Sequence, residues 1–158
     1  MALSGSFSNY PTGKFGLYCE WTGSQSVTGN YTSITLKVYL QFYTISVGSR
    51  SDSTISINGT SETYTAPAIN DMSSTSWHKV LLKSKTVTVY HNSDGTKNGV
   101  ALSASWRFSG TYSGVSIGTI TASTTVNLDK IDCSAPSVTL AVSNITAGYI
   151  IKKWTSVI

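Results

Sequence analysis

Charged side chains are scarce in this sequence. Only 11% of its 158 residues are charged, against a usual share of about a quarter. Most of the seven acidic residues fall in predicted turns, where carboxylates commonly bond their own backbone. Glu20 and Glu62 are the only acids on predicted strands, and a glycosidase would need two carboxylates facing each other across a cleft. We therefore predict no catalytic residue and no enzyme activity, with a glycosidase as the least favoured function.

Metal-binding and nucleophilic motifs are also missing. Cys19 and Cys133 form neither a disulfide framework nor a zinc motif, although one bridge between them stays open. His78 and His91 lie too far apart for a recognisable site, and a structural or surface role is expected for both. Residues 92–95 resemble the start of a calcium loop, but no bidentate Glu follows, which favours a turn. We expect no metal and no cofactor.

The chain has no apolar run of about twenty residues and therefore no predicted membrane span. Its start lacks a basic segment followed by an apolar run, so no signal peptide is expected. The formal net charge is +4, yet no dense Lys/Arg cluster with interleaved aromatics occurs, which argues against nucleic acid as a partner. Helical spacing is missing as well, so helix content should be slight.

Alternating polar and apolar residues, typical of strands, fill most of the chain. The predicted strands are 14–22, 31–46, 53–57, 60–65, 77–91, 100–108 and 115–128. Asn58 and Gly59 predict a tight type I′ hairpin turn, because both tolerate positive φ. The strands 77–91 and 100–108 are predicted to form the central hairpin. Breaks in alternation near 84–85 and at Gly118 indicate bulges.

This pattern predicts an all-β protein, an antiparallel β-sandwich of jelly-roll or immunoglobulin-like topology. The sandwich domain should span residues 1–131, with 1–13 as a flexible start and 66–76 as a loop. Residues 132–136 read as a linker. Residues 137–158 hold two strand candidates, 138–142 and 149–156, too few to bury a core. They would begin an incomplete second module or serve as an oligomerisation element.

Outward-facing aromatics are the most informative functional feature. Side chains of a strand point alternately to its two faces, and this parity of position assigns Trp21 and Trp106 to the core face. The ligand-binding candidates on the opposite faces are Tyr18, Tyr39, Tyr43, Trp77 and Tyr90, with Lys37 and Gln41 beside them. Aromatic rings that carry a polar group suit surfaces that are partly exposed to water. Here the rings would stack on sugar rings, while the Gln41 amide would form hydrogen bonds with sugar hydroxyls. The alternative is that they raise strand propensity or meet another subunit.

Three lysines, Lys79, Lys83 and Lys85, lie together without acidic neighbours in the sequence. Such a cluster attracts phosphate-bearing polymers such as teichoic acids. Lysines that protect an edge strand from pairing are the commoner case.

Five short motifs lie at residues 4–7, 55–60, 90–97, 110–114 and 128–131. Together they resemble a family of minor structural proteins from the tails of siphophages and prophages of Gram-positive bacteria. The resemblance implies a non-enzymatic virion component near the host-adhesion apparatus, a homo-oligomer with a trimer as one expected form. Residues 132–136 depart from the family pattern, in which a Pro-Arg-bearing linker leads into immunoglobulin-like repeats.

The leading hypothesis is a phage tail or tail-fibre adhesin that binds bacterial cell-wall glycan. The alternative is a purely structural spacer or assembly protein of the virion. Either would be made in the host cytoplasm and would reside in the phage tail among other tail subunits.

Overall fold

A computed structural model describes residues 3–72, 76–112 and 114–132, and they form a β-sandwich. Two four-stranded antiparallel sheets enclose one core, and a small two-stranded sheet lies beside them. No helix occurs within these ranges. The predicted all-β antiparallel sandwich is confirmed.

The described residues form ten strands. They are β1 (Ser4–Asn9), β2 (Phe15–Ser26), β3 (Tyr31–Phe42), β4 (Ile45–Val47), β5 (Arg50–Ile57), β6 (Thr60–Ala66), β7 (Ile69–Asp71), β8 (His78–Tyr90), β9 (Val100–Tyr112) and β10 (Val115–Val126). The first sheet has the order β1-β2-β3-β8 and the second β10-β9-β5-β6, while β4 pairs with β7. The sequence alone left two sandwich topologies open, and the structure supplies this strand order.

The core lies between the two large sheets. Alternate side chains of β2 and β3 are buried, which is the pattern of strands with one face against a core. The largest fully buried side chains include Trp106, Phe15, Phe42, Leu17, Leu36, Leu40, Ile55 and Leu102. Trp21 is buried too, so both tryptophans that parity assigned to the core lie there.

Two local predictions are confirmed. Asn58 and Gly59 have φ of 48° and 81° and connect β5 to β6 in a two-residue hairpin. The register between β9 and β10 shifts around Gly118. The pairing of β3 with β8 skips Leu82, since Val38 pairs with Lys83 and Tyr39 pairs with Leu81. This irregularity lies slightly before the bulge predicted near 84–85.

Four segment predictions are wrong. The start of the chain is not wholly flexible, since β1 pairs along its full length with β2. The long strand predicted for 31–46 is interrupted after Phe42, and β4 leaves the sheet to pair with β7, inside the segment predicted to be a loop. β2 also continues to Ser26, where a break was expected after position 22. In each case the backbone pairing decides the structure of residues that have weak alternation of their own.

The predicted central hairpin is also wrong, because its two arms lie in different sheets. β8 pairs with β3, whereas β9 lies between β10 and β5. The connection over residues 92–99 therefore crosses from one sheet to the other. It is tied to the chain's later segment, since the amides of Leu128 and Ile131 donate to the carbonyls of Lys97 and Gly95 (both 2.9 Å).

His91 anchors that crossing from inside. It is buried, its Nδ1 donates to the Gly95 carbonyl (2.8 Å), and its Nε2 forms a hydrogen bond with the Thr32 hydroxyl (2.7 Å). Asp94 accepts from the amide and hydroxyl of Thr96 (2.9 and 2.7 Å). The turn predicted for residues 92–95 is thus confirmed, and of the two roles expected for His91, structural or surface, its burial and hydrogen bonds fit the structural one.

Lys83 and Lys85 join the edge strands of the two sheets. Both form ion pairs with Glu62 of β6, the Lys85 pair at 3.2 Å. Their hydrogen bonds hold the pKa of the Glu62 carboxyl below its ordinary value. Inward-turned charge of this kind blocks pairing of an exposed edge with another strand, the role that the sequence favoured for these lysines.

Residues 133–158 lie outside the described residues, and with them most of the predicted linker and both C-terminal strand candidates. Within the described ranges, no helix has the length and apolarity of a membrane span. The described part likewise holds no group of three or more His, Cys, Asp or Glu side chains placed to bind a metal.

Cys19 gives a test of this packing. Its thiol is free and fully buried, and burial raises its pKa to about 12 from an ordinary 9.0. The folded state favours the protonated thiol, so this group's contribution to stability is complete below pH 9 and is lost as the pH rises towards 12. In a Cys133→Ser chain at pH 8, a thiol reagent should react with Cys19 about a thousandfold or more slowly than in the unfolded chain.

The measurement is the labelling rate with and without denaturant. The urea-unfolded chain supplies the reference rate. Rapid labelling of the native protein would contradict the burial of β2 against the second sheet.

Candidate functional site

The outer face of the first sheet brings most of the predicted ligand-binding residues together. Cross-strand register places Tyr18 of β2 opposite Tyr39 of β3, with Leu81 of β8 next in the row. The neighbouring row on one side is Gly16, Gln41 and Lys79, and on the other side Glu20, Lys37 and Ser84. Aligned rows such as these form a nearly flat surface, with side chains of adjacent strands about 5 Å apart.

Lys79 organises the middle of this surface. Its ammonium lies 4.3 Å from the centre of the Tyr39 ring and 5.2 Å from that of Tyr18. It also pairs with Glu20 at 2.8 Å. This hydrogen bond holds the pKa of the Glu20 carboxyl below its ordinary value. Two ring faces, a cation and an anion are thus fixed relative to one another without any one of them being deeply buried.

The turn before β2 folds back over this face at Gly16. A Cβ at Gly16 would lie 2.2 Å from the Asn9 carbonyl oxygen and 2.7 Å from Tyr10 Cα, so only glycine permits the approach. Tyr10 then crosses β2, and its hydroxyl donates to Oε1 of Gln41. That bond fixes the orientation of the amide.

Trp77 closes the site from the other side. Trp77 is 47% exposed, yet its ring makes edge-to-face contacts with Tyr10 (5.8 Å, 79°) and Tyr43 (6.4 Å, 83°). The Lys14 ammonium lies 5.6 Å from the centre of the Tyr43 ring. Such contacts hold an aromatic side chain in one orientation before any ligand arrives.

A cavity of about 460 Å³ opens between these groups. Its lining residues are Tyr10, Gly13, Gln41 and Trp77. The walls are mainly aromatic with one oriented amide, the usual composition of a small-molecule site. We call this cavity and its flanking Tyr43, Tyr39, Tyr18 and Lys79 the aromatic site.

Tyr90 does not belong to the aromatic site. It pairs with Tyr31 at the far end of β3 and contacts that ring edge-to-face (5.8 Å, 72°). Tyr31 lies eight residues from Tyr39, a span of about 27 Å along a strand. The intervening surface carries rows of Thr and Ser, including a hydrogen bond between the hydroxyls of Thr35 and Thr86 (2.8 Å).

The two carboxylates that the sequence placed on strands, Glu20 and Glu62, belong to different sheets. Glu20 lies on the outer face of the first sheet, beside Lys79. Glu62 lies on β6 of the second sheet, between Lys83 and Lys85. Each carboxyl has its pKa lowered by hydrogen bonds from lysine, whereas the general acid of a glycosidase needs a raised one.

Sequence reasoning missed Tyr10, Gly16 and Lys79 as members of this site. Tyr10 fell in a segment that was expected to be flexible, and Lys79 in the lysine cluster of β8. The one available signal was Gly16, since a glycine inside a strand pattern indicates a bulge or a close backbone approach.

A family model described as siphovirus protein of unknown function (DUF859) matches residues 7–152. The match includes the aromatic site and continues beyond residue 132, the last that the structure describes. Neither a curated protein nor a solved structure matches the chain.

Proposed function

This chain belongs to a family of siphovirus proteins of unknown function, and from this membership we propose that it is a non-enzymatic module of the phage tail that binds cell-wall glycan of the host. The aromatic site is the proposed binding surface. The proposal depends most on one observation, the half-exposed Trp77 held between Tyr10 and Tyr43 beside an oriented amide.

These groups suit a sugar for physical reasons. A pyranose presents an apolar C–H face and a rim of hydroxyls, so it needs a flat ring and nearby polar groups. Trp77 supplies the ring, and the Gln41 amide and the Lys79–Glu20 pair supply donors and acceptors. Because neighbouring contacts already hold Trp77, little side-chain entropy is lost on binding.

Glycan-array binding and co-sedimentation with purified Gram-positive cell walls test this function. Trp77→Ala should weaken binding about tenfold or more, since an aromatic anchor at the centre of a contact contributes about 2 kcal/mol. Tyr43→Ala and Tyr39→Ala should weaken it as well, the first by removing a support of Trp77 and the second by removing a neighbouring ring.

Tyr90→Ala is the matched control, because that ring is 67% exposed and lies at the other end of the same face. It should bind as the unaltered chain does. Failure of the unaltered chain to bind any wall polymer, or full binding by Trp77→Ala, would count against a glycan adhesin.

The second candidate is a structural spacer or assembly module of the virion. It is favoured by two exposed apolar side chains, Leu81 on β8 and Trp77 just before it, because β8 is an edge strand among the described residues. A homo-oligomer, for example a trimer, would cover them. Sedimentation velocity decides: a stable oligomer that dissociates on Leu81→Glu favours assembly, and a monomer that binds glycan favours the adhesin.

A further inference from the structure

A second cavity, of about 370 Å³, opens in the second sheet. Its lining residues are Ser49, Arg50, Ser51, Arg107 and Ser109. Two arginines and three serines thus border one space, and the Ser51 hydroxyl donates to Asp52 Oδ2 (3.1 Å). It lies in the β5–β9 sheet, apart from the aromatic site on the first sheet.

This cavity exists because β5 and β9 separate. Their ladder runs only over Thr54–Ile57 of β5. From the Thr54 end of this ladder onward, serine side chains accept the hydrogen bonds in place of backbone carbonyls. The Thr54 amide donates to Ser105 Oγ (3.0 Å), and the Arg107 amide donates to Ser53 Oγ (3.3 Å). The register of β5 against β6 shifts between Arg50 and Ser53, as bulges do where a strand re-aims its side chains.

Two residues beside the cavity have a backbone conformation that is unusual for residues other than glycine. Asp52 and Ser109 have φ of 59° and 47°, in the left-handed region that non-glycine residues seldom occupy. Ser109 lines the cavity, and Asp52 follows Ser51, which also lines it. Strained positions of this kind cost about 1–3 kcal/mol each and cluster at ligand sites.

The charges of the cavity are partly fixed. Arg50 donates from Nε to the Phe108 carbonyl (2.7 Å) and from a terminal nitrogen to the Ser49 carbonyl (3.3 Å). Arg107 donates from its own terminal nitrogen to Asp52 Oδ2 (2.5 Å). Two cations and one carboxylate leave a formal charge of +1, and each guanidinium keeps further N–H groups for a ligand.

We propose that this cavity binds a phosphate group, either free or as the phosphodiester of an anionic polymer. A tetrahedral oxyanion accepts several hydrogen bonds at once, and guanidinium forks with neighbouring hydroxyls match it in charge and geometry. The proposal is independent of glycan binding at the aromatic site.

An NMR titration of the ¹⁵N-labelled full chain tests the proposal. Inorganic phosphate and a glycerol-phosphate oligomer are the two probes, with sodium chloride holding the ionic strength constant. Saturable shifts should appear at residues 49–53 and 107–110. Saturation by both probes assigns the site to a polymer phosphodiester, and saturation by inorganic phosphate alone assigns it to free phosphate.

Three variants sharpen the test. Arg107→Gln should weaken phosphate binding about tenfold or more, because a charge-assisted donor is lost. Asp52→Asn should strengthen it about threefold by removing a competing carboxylate, and asparagine tolerates the positive φ. Lys130→Gln removes one exposed cation elsewhere and should change nothing. Non-saturable shifts, or equal affinity of Arg107→Gln and the unaltered chain, would overturn the proposal.

Discussion

Gly16→Ala is expected to abolish ligand binding at the aromatic site while the sandwich stays folded. The new Cβ would meet backbone atoms, the Asn9 carbonyl oxygen at 2.2 Å and Tyr10 Cα at 2.7 Å. Because neither atom can rotate away, the turn before β2 must lift off the sheet. Tyr10 then leaves both Gln41 and Trp77. The free energy of unfolding should fall by about 1–3 kcal/mol, the usual cost of overpacking.

The experiment compares Gly16→Ala with Gly118→Ala. Both glycines lie in strands, but a Cβ at Gly118 would meet nothing within 4 Å. Circular dichroism and urea unfolding measure stability, and the glycan assay measures binding. Gly118→Ala should behave as the unaltered chain in both. Retention of binding by Gly16→Ala would show that the position of Tyr10 is not needed, and would remove it from the site.

The fold class was predictable because the strongest strands carry their own pattern. β2 and β3 alternate buried and outward residues almost without error, and Asn58-Gly59 specifies its turn through two positive φ values. These signals are local, so one sequence is enough to read them.

Strand partners were not predictable in the same way. β8 and β9 follow each other with a turn-rich connection, which is the usual sign of a hairpin. Their separation depends on contacts that are distant in sequence, between the loop and residues 128–131 and between His91 and Thr32. β1 shows the same limit, since its small polar residues are a strand only through pairing with β2.

The candidate site was half predictable for a related reason. Parity states which face a side chain occupies, and it correctly separated Tyr18, Tyr39 and Trp77 from the buried Trp21. Parity does not state how far apart two residues lie on that face. Register supplies that distance, and it unites Tyr18 with Tyr39 while it places Tyr90 at the opposite end.

Trp106→Ala is expected to lower the free energy of unfolding by about 3–5 kcal/mol, a large part of the roughly 5–15 kcal/mol that stabilises a domain. Trp106 is 1% exposed. Its ring lies 5.3 Å from that of Phe108 and 6.1 Å from that of Phe15. Alanine would leave a cavity where the two sheets meet, and the rigid strands around it cannot close over so large a gap.

Trp106→Phe should cost far less, at most about 2 kcal/mol. Among the described residues, no group accepts a hydrogen bond from the buried indole N–H of Trp106. Phenylalanine keeps an aromatic ring beside Phe15 and Phe108 and removes a donor whose burial is itself unfavourable. Urea unfolding followed by circular dichroism measures both variants without relying on indole fluorescence. Equal destabilisation by Phe and Ala would mean that the indole N–H has a partner that stabilises the fold, and that ring packing is not the main contribution of this residue.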